Sequence, residues 1–132
     1  MQIVVLYVTT AVSFLALDAV MLKTVMRPVF ERQISDWLLQ DIRIGPAIGF
    51  YLFYVLGVLW FVSLPALRND EPWQALLGGA ILGAVAYGTY EFTNFATLKA
   101  WSWEMVAIDL TWGIALTAFS AWIGVVATRA VT

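Results

Sequence analysis

The amino-acid sequence predicts an all-α integral membrane protein, an antiparallel bundle of four transmembrane helices. The chain of 132 residues is 62% hydrophobic and only 12% charged, with a mean hydropathy of +0.85, whereas soluble domains are about half apolar and a quarter charged. Several apolar stretches are long enough to cross a bilayer, which takes about 20 residues. The last two links between them are short, and short links place consecutive helices side by side and antiparallel.

Four spans are predicted within a single transmembrane domain. They are, in chain order, residues 3–22, 47–67, 73–98 and 103–128. Lys23 and Arg27 follow the first span, and Gly45-Pro46 precedes the second, as is common at the start of a helix. The N-terminus lacks the basic region and small-residue cleavage site of a secretory signal. We therefore interpret the first stretch as a retained membrane helix.

Residues 23–44 form the longest polar connection. Within it, the apolar side chains of Ile34, Trp37, Leu38 and Ile42 fall on one helical face, and charged or polar residues fall elsewhere. This pattern predicts a short amphipathic helix lying at the membrane interface between the first and second spans. An ordered connector with no further role is the simplest interpretation of this segment.

Basic residues are unevenly distributed between the two sides of the predicted bundle. The first and third connections together hold Lys23, Arg27, Arg32, Arg43 and Lys99, whereas the opposite side holds Arg68 and Arg129. The positive-inside rule predicts that the first and third connections are cytoplasmic and both termini periplasmic. A dual-topology dimer stays open. Tryptophans near the predicted interfaces are expected to anchor the helices there; they are Trp60, Trp73, Trp101 and Trp103.

The chain contains no cysteine and no histidine. Disulfides, thiolate nucleophiles, Ser-His-Asp catalysis and the usual zinc sites are therefore excluded. A net charge of −2 gives no electrostatic reason to expect nucleic acid. We predict no metal site, and the sequence does not identify a cofactor.

Three carboxylates lie inside the predicted spans: Asp18, Glu91 and Asp109. Each costs about 2.5–3.5 kcal/mol at the bilayer centre unless it is paired, protonated or hydrated. From the rise of a helix, they lie about 7–12 Å from the same side of the membrane. We predict that Glu91 and Asp109 share a buried polar pocket. Because two adjacent carboxylates repel each other, one of them is expected to hold a proton.

Small and polar residues form stripes on the third and fourth spans. Helix packing is predicted at Gly79, Gly83 and Gly113, where the first two form a GxxxG pair. The predicted ligand or proton site consists of Asp18, Tyr87, Tyr90, Glu91, Asn94, Asp109 and Trp112. The second span could close this pocket with Tyr51 and Tyr54. The alternative interpretation of the polar side chains is interhelical hydrogen bonding.

The stretch AYGTYEFTNFATLKAWSWE, together with DLTWG at 109–113, resembles a bacterial membrane family catalogued as domain of unknown function 2177. The family pattern is Y-G-T-Y-D-L-T-N-x-A-T-L-K-x-W followed by D-x-x-W-G. Glu91 and Phe92 replace the usual Asp and Leu. LDAVML at 17–22 resembles L-D-x-x-W-L, and FVSLPAL at 61–67 also fits. The resemblance implies four helices in a bacterial inner (plasma) membrane, and it implies no established activity.

Three functions stay open on this evidence. The first is a carboxylate-lined pocket that binds or transports a small amphipathic or lipid molecule, with proton coupling. The second is an intramembrane acid/base enzyme that acts on a lipid or an isoprenoid. The third is an accessory or assembly subunit of a larger membrane complex. Membrane lipids are expected partners in each case, and a homo-oligomer is compatible with all three.

Overall fold

The structure, a computed structural model, describes residues 1–34 and 43–132. Its α-helices are α1 (Gln2–Met21), α2 (Arg27–Ile34), α3 (Ile44–Val58), α4 (Leu64–Arg68), α5 (Pro72–Thr97) and α6 (Trp103–Val131). Two π-helical segments, Leu22–Met26 and Leu59–Ser63, join α1 to α2 and α3 to α4. The described residues contain no strand, and the predicted all-α class is confirmed.

Within the described residues, four helical segments are long and apolar enough to cross a membrane: Gln2–Val29, Gly45–Arg68, Pro72–Thr97 and Trp103–Val131. The first is longer than the sequence predicted, because the helix continues past Lys23. A lysine does not interrupt a helical backbone, and its long side chain can reach water from inside the bilayer. Of the predicted interfacial helix, Trp37, Leu38 and Ile42 lie outside the described residues.

Each π-helical segment ends two residues before a proline. Leu22–Met26 precedes Pro28, and Leu59–Ser63 precedes Pro65. A proline inside a helix lacks an N–H donor, and its ring crowds the carbonyl group four residues earlier. A wider π turn relieves that crowding while the helix continues. The first two membrane-spanning segments therefore remain helical across their prolines.

Glycines bring α5 and α6 into backbone contact. An ideal Cβ on Gly79 would lie 2.7 Å from the Cα atom of Ala118, and one on Gly83 would lie 2.5 Å from the carbonyl oxygen of Gly113. A Cβ on Gly113 would overlap the ring of Tyr87. Real Cβ atoms do not approach so closely, so only glycine permits this helix spacing.

Helices α1 and α6 pack antiparallel, and their contacts define the two ends of the bundle. At one end, which we call the terminal end, the side-chain amide of Gln2 donates to the hydroxyl of Thr132 at 3.2 Å. Toward the other end, called the loop end because it holds the α5–α6 loop, Trp112 contacts Asp18. The apolar core between the ends includes Leu6, Phe14, Val55, Leu116 and Val125.

Candidate functional site

Glu91 lies on α5, about two turns before the helix ends, and it is completely buried (0% exposed). Its Oε1 accepts a hydrogen bond from Nε1 of Trp101 at 2.9 Å. Trp101 belongs to the α5–α6 loop and is only 7% exposed. Helix α6 begins directly after this loop, where the Ser102 hydroxyl accepts from the Met105 backbone N–H at 3.3 Å. The loop thus folds back over the Glu91 carboxyl group.

Asp109 on α6 faces the same carboxyl group. Its side chain lies within hydrogen-bonding reach of Glu91. Ionised carboxylates only accept hydrogen bonds, so this contact is favourable only when a proton lies between them. With both acids ionised, Oε2 of Glu91 is buried without a donor among the described residues. We refer to Glu91 and Asp109 together as the carboxyl pair.

Asp18 occupies a second polar site on α1, within one turn of Met21, where α1 ends toward the loop end. It is 4% exposed, and its Oδ1 accepts a hydrogen bond from Nε1 of Trp112 on α6 at 3.1 Å. The hydroxyl of Tyr51 on α3 also lies within hydrogen-bonding reach of this carboxyl group. Groups from three of the four membrane-spanning segments therefore meet at Asp18.

Tyr87 lies between the two polar sites. Its phenol is close enough to both Asp18 and Asp109 to interact with their charges. Its ring meets the ring of Tyr54 edge to face, with centroids 6.4 Å apart. The Tyr54 hydroxyl in turn shares a hydrogen bond with the Thr117 hydroxyl at 3.1 Å. Aromatic and hydroxyl groups thus extend from the two acid sites into the centre of the bundle.

Tyr90 and Asn94 are within hydrogen-bonding reach of each other on α5. Tyr90 is half-exposed, and its ring meets Trp101 edge to face with centroids 5.8 Å apart. The structure therefore brings Glu91 and Asp109 together, links Asp18 to Trp112, and places Tyr90 and Asn94 at the outer side of the carboxyl pair.

The position of Trp101 differs from the one that the sequence predicted. It was expected to be an interface anchor, but it is buried and donates to Glu91. Trp60, Trp73 and Trp103, in contrast, have exposed side chains. Helical periodicity carries no information about a side chain in a loop. The available signal was chemical, because a buried acid needs a donor and an indole N–H lies ten residues further along the chain.

The donor set does not suggest a metal centre. Within residues 1–34 and 43–132, no three metal-ligating side chains converge on one point. The groups around the acids are indoles and phenols, which donate hydrogen bonds and present aromatic faces. This environment can hold a proton, or it can contact a ligand that carries both polar and apolar parts.

The four apolar helical segments and the polar groups buried among them define an integral membrane protein of the four-helix class. The chain belongs to the family described as "Predicted membrane protein (DUF2177)", whose sequence model matches residues 3–126. The resemblance noted from the sequence is confirmed. No curated protein and no solved structure matches the chain.

Proposed function

We propose that this membrane protein binds a small amphipathic or lipid molecule in its polar interior and exchanges a proton of the carboxyl pair when it does so. The observation that carries the proposal is the contact between Glu91 and Asp109 inside two membrane-spanning segments. A single proton between the two carboxyl groups forms a hydrogen bond from an oxygen of one to an oxygen of the other. The pair then carries one negative charge. The proposed function extends to transport of the bound molecule across the membrane.

Charge and shape indicate the kind of ligand. The one negative charge left on the carboxyl pair favours a positive or hydrogen-bond-donating group on the ligand. The rings of Trp101 and Tyr90, which meet edge to face beside Glu91, offer aromatic surface to the same group. The surrounding helices expose apolar side chains to lipid, so the rest of the molecule can be apolar.

Location and orientation are part of the proposal. The protein resides in the inner (plasma) membrane of a bacterium, and the loop end faces the cytoplasm because most of the basic residues lie on that side. The site then draws its ligand from the bilayer or from the cytoplasm. Homo-oligomers and larger membrane complexes are compatible with this arrangement.

An intramembrane acid/base enzyme is the second candidate. A carboxyl pair that shares one proton contains an acid and a base in the same site, which suits isomerisation, hydration or cyclisation of an isoprenoid or lipid. The lipid pool of the host distinguishes the two functions. If the protein is an enzyme, replacing Glu91 by Gln changes which lipid species the host contains. If it is a binding protein or a transporter, the same lipid species are present with the wild type and the variant.

Mass spectrometry of the protein purified in mild detergent tests ligand binding. We expect one bound species in the wild type that is lost in Glu91→Gln and kept in Glu71→Gln, a matched change at an exposed glutamate. If only bulk phospholipid is found, in equal amounts in all three proteins, the binding function is refuted.

Infrared difference spectroscopy tests the shared proton directly. The wild type should show the carbonyl band of a protonated carboxylic acid, and Glu91→Gln should lose it. The amide of the glutamine can donate to Asp109, which then needs no proton. Glu71→Gln should keep the band. An unchanged band in Glu91→Gln would show that the proton is not shared by this pair.

A further inference from the structure

Both basic residues of the terminal end line one cavity. The cavity has a volume of about 430 Å³, within the roughly 300–1,000 Å³ that is usual for small-molecule sites. Its lining includes Gln2, Arg68, Asp70, Arg129 and Thr132. Most basic residues of the chain lie at the other end of the bundle, as the positive-inside rule leads one to expect. That the two exceptions meet in a single cavity therefore calls for a physical reason.

The guanidinium groups of the two arginines have donors to spare. Nε of Arg68 donates to the carbonyl oxygen of Leu64 at 3.4 Å, and Arg68 has no acidic partner in the described part of the chain. Nε of Arg129 lies 2.7 Å from Oδ1 of Asp70, and both side chains of this pair are exposed, at 41% and 74%. A guanidinium group carries five N–H donors. Contacts through Nε leave the donors on its two terminal nitrogens available to a ligand.

The charged side chains that line the cavity sum to one positive charge. Arg68 and Arg129 contribute two positive charges, and Asp70 contributes one negative charge. Helix dipoles cancel at this end, because α1 and α5 begin there, α4 and α6 end there, and each helix end is equivalent to about half a charge. Glu71, the next acid in the sequence, accepts from the side-chain amide of Gln74 and does not line the cavity. The cavity therefore favours a ligand with a single negative charge.

The arginines lie at the height of the lipid headgroups. Arg68 is the last residue of the membrane-spanning segment Gly45–Arg68, and Arg129 lies two residues before the end of Trp103–Val131, about 3 Å at the rise of a helix. Phospholipid phosphates occupy the polar layer directly outside the hydrocarbon core. A lipid in the bilayer therefore brings its phosphate group to the depth at which both guanidinium groups lie.

Apolar side chains lie beside the arginines. Leu64 and Leu67 are half-buried and also line the cavity. Ile3 and Val131, each next to a lining residue in the sequence, have exposed apolar side chains that lipid tails contact in a membrane. The site therefore offers polar contacts to a headgroup and apolar contacts to the chains attached to it.

We propose that the cavity at the terminal end binds the phosphate group of an anionic phospholipid such as phosphatidylglycerol. Arg68 and Arg129 donate hydrogen bonds to the phosphate oxygens, because the planar fork of a guanidinium group matches the geometry of phosphate. Gln2 and Thr132 supply polar side chains for the rest of the headgroup. This site lies at the opposite end of the bundle from the carboxyl pair, so the inference goes beyond the proposed function and does not depend on it.

Native mass spectrometry of the protein in a nonionic detergent measures binding of the first lipid molecule. Phosphatidylglycerol and phosphatidylethanolamine with the same acyl chains are titrated separately, and we expect phosphatidylglycerol to bind more tightly. Arg68→Gln and Arg129→Gln should each weaken its binding by at least about tenfold, as expected when a hydrogen bond to a charged group is lost. Arg43→Gln is the matched control, because it removes one exposed positive charge at the loop end, and it should leave the affinity unchanged.

Asp70→Asn should have the opposite effect, which misfolding cannot imitate. The change removes the negative charge that pairs with Arg129. Phosphatidylglycerol should therefore bind about fivefold more tightly, the effect of one charge near an anionic lipid surface. Asp70 has a φ of 56°, and asparagine, like aspartate, tolerates this left-handed conformation. The turn between α4 and α5 is therefore kept in the variant.

Several results would overturn the proposal. Equal affinities of phosphatidylglycerol for the wild type, Arg68→Gln and Arg129→Gln would mean that the lipid does not contact the cavity, and equal binding of phosphatidylethanolamine would mean that no anion is selected. Unchanged or weaker binding to Asp70→Asn would mean that the phosphate does not meet Arg129. Inorganic phosphate should not displace the lipid; if it does so at an equal concentration, the ligand is a soluble phosphate and not a lipid. Size-exclusion profiles check that each variant is folded.

Discussion

Gly83→Ala is expected to destabilise the protein although alanine is the better helix former. The new Cβ would lie 2.5 Å from the carbonyl oxygen of Gly113, 3.0 Å from its carbonyl carbon and 3.0 Å from the Cα atom of Ile114. All three are backbone atoms, so no side chain can rotate away and α5 must move from α6. Overpacking costs about 1–3 kcal/mol, and we expect the upper part of that range. The higher helix propensity of alanine offsets about 1 kcal/mol of this cost. The free energy of unfolding should therefore fall by about 2 kcal/mol.

Gly49→Ala is the matched control, because nothing lies within 4 Å of a Cβ at that position on α3. It should gain up to about 1 kcal/mol from helix propensity alone. Both variants can be unfolded by adding sodium dodecyl sulfate to mild-detergent micelles, with circular dichroism as the readout. If Gly83→Ala is as stable as Gly49→Ala, the close contact between α5 and α6 is not present in the protein.

The same substitution should also affect the acids at a distance. Glu91 lies two turns from Gly83 on α5 and contacts Asp109 across the same helix pair. Separating the helices lengthens the contact between the carboxyl groups. Gly83→Ala should therefore weaken the infrared band of the shared proton, although neither acid has been changed, and Gly49→Ala should leave the band intact.

Three further changes test individual contacts by the same unfolding titration. Trp101→Phe keeps an aromatic ring but removes the donor to Glu91. It should cost about 1.5–3 kcal/mol, the usual contribution of a hydrogen bond to a charged group, and an unchanged unfolding midpoint would contradict the contact. Tyr54→Phe should cost about 0.6 kcal/mol, as is typical of interhelical hydrogen bonds in membranes. Thr117→Val should then destabilise the Tyr54→Phe variant less than it destabilises the wild type, because the shared hydrogen bond is already lost. Asp70→Asn removes the exposed ion pair between Asp70 and Arg129. It should change stability by less than about 1 kcal/mol, and added salt should abolish the difference. A larger or salt-independent loss would show that the pair is not a surface contact.

The sequence alone indicates most of the fold because a bilayer imposes length and hydropathy on each span. Hydropathy does not locate the end of the first helix, since Lys23 lies within it. The GxxxG pair correctly indicates a close helix contact, but the sequence does not identify Gly113 as the partner of Gly83 until the register of α5 against α6 is known. That register depends on packing over the whole interface.

The candidate site was less predictable than the fold, for a physical reason. Depth along a helix follows from the rise per residue, so Glu91 and Asp109 could be assigned similar depths from sequence alone. Contacts between distant segments, such as that of Asp18 with Trp112, depend on how helices rotate about their axes. The inward turn of Trp101 depends on a loop, where no periodicity constrains the direction of a side chain.

The two polar sites are held by different kinds of contact, and this difference indicates which helix can move. The α5–α6 pair is fixed by backbone contacts at its glycines, and glycine contacts leave no room for sliding. Helix α1 reaches α6 through side chains instead, including the hydrogen bond between Asp18 and Trp112. Breaking one such bond costs far less than separating two backbones in contact. If a proton passes between Asp18 and the carboxyl pair, we expect α1 to move against an α5–α6 pair that remains fixed, with the rings of Phe14 and Tyr51 repacking as it does so.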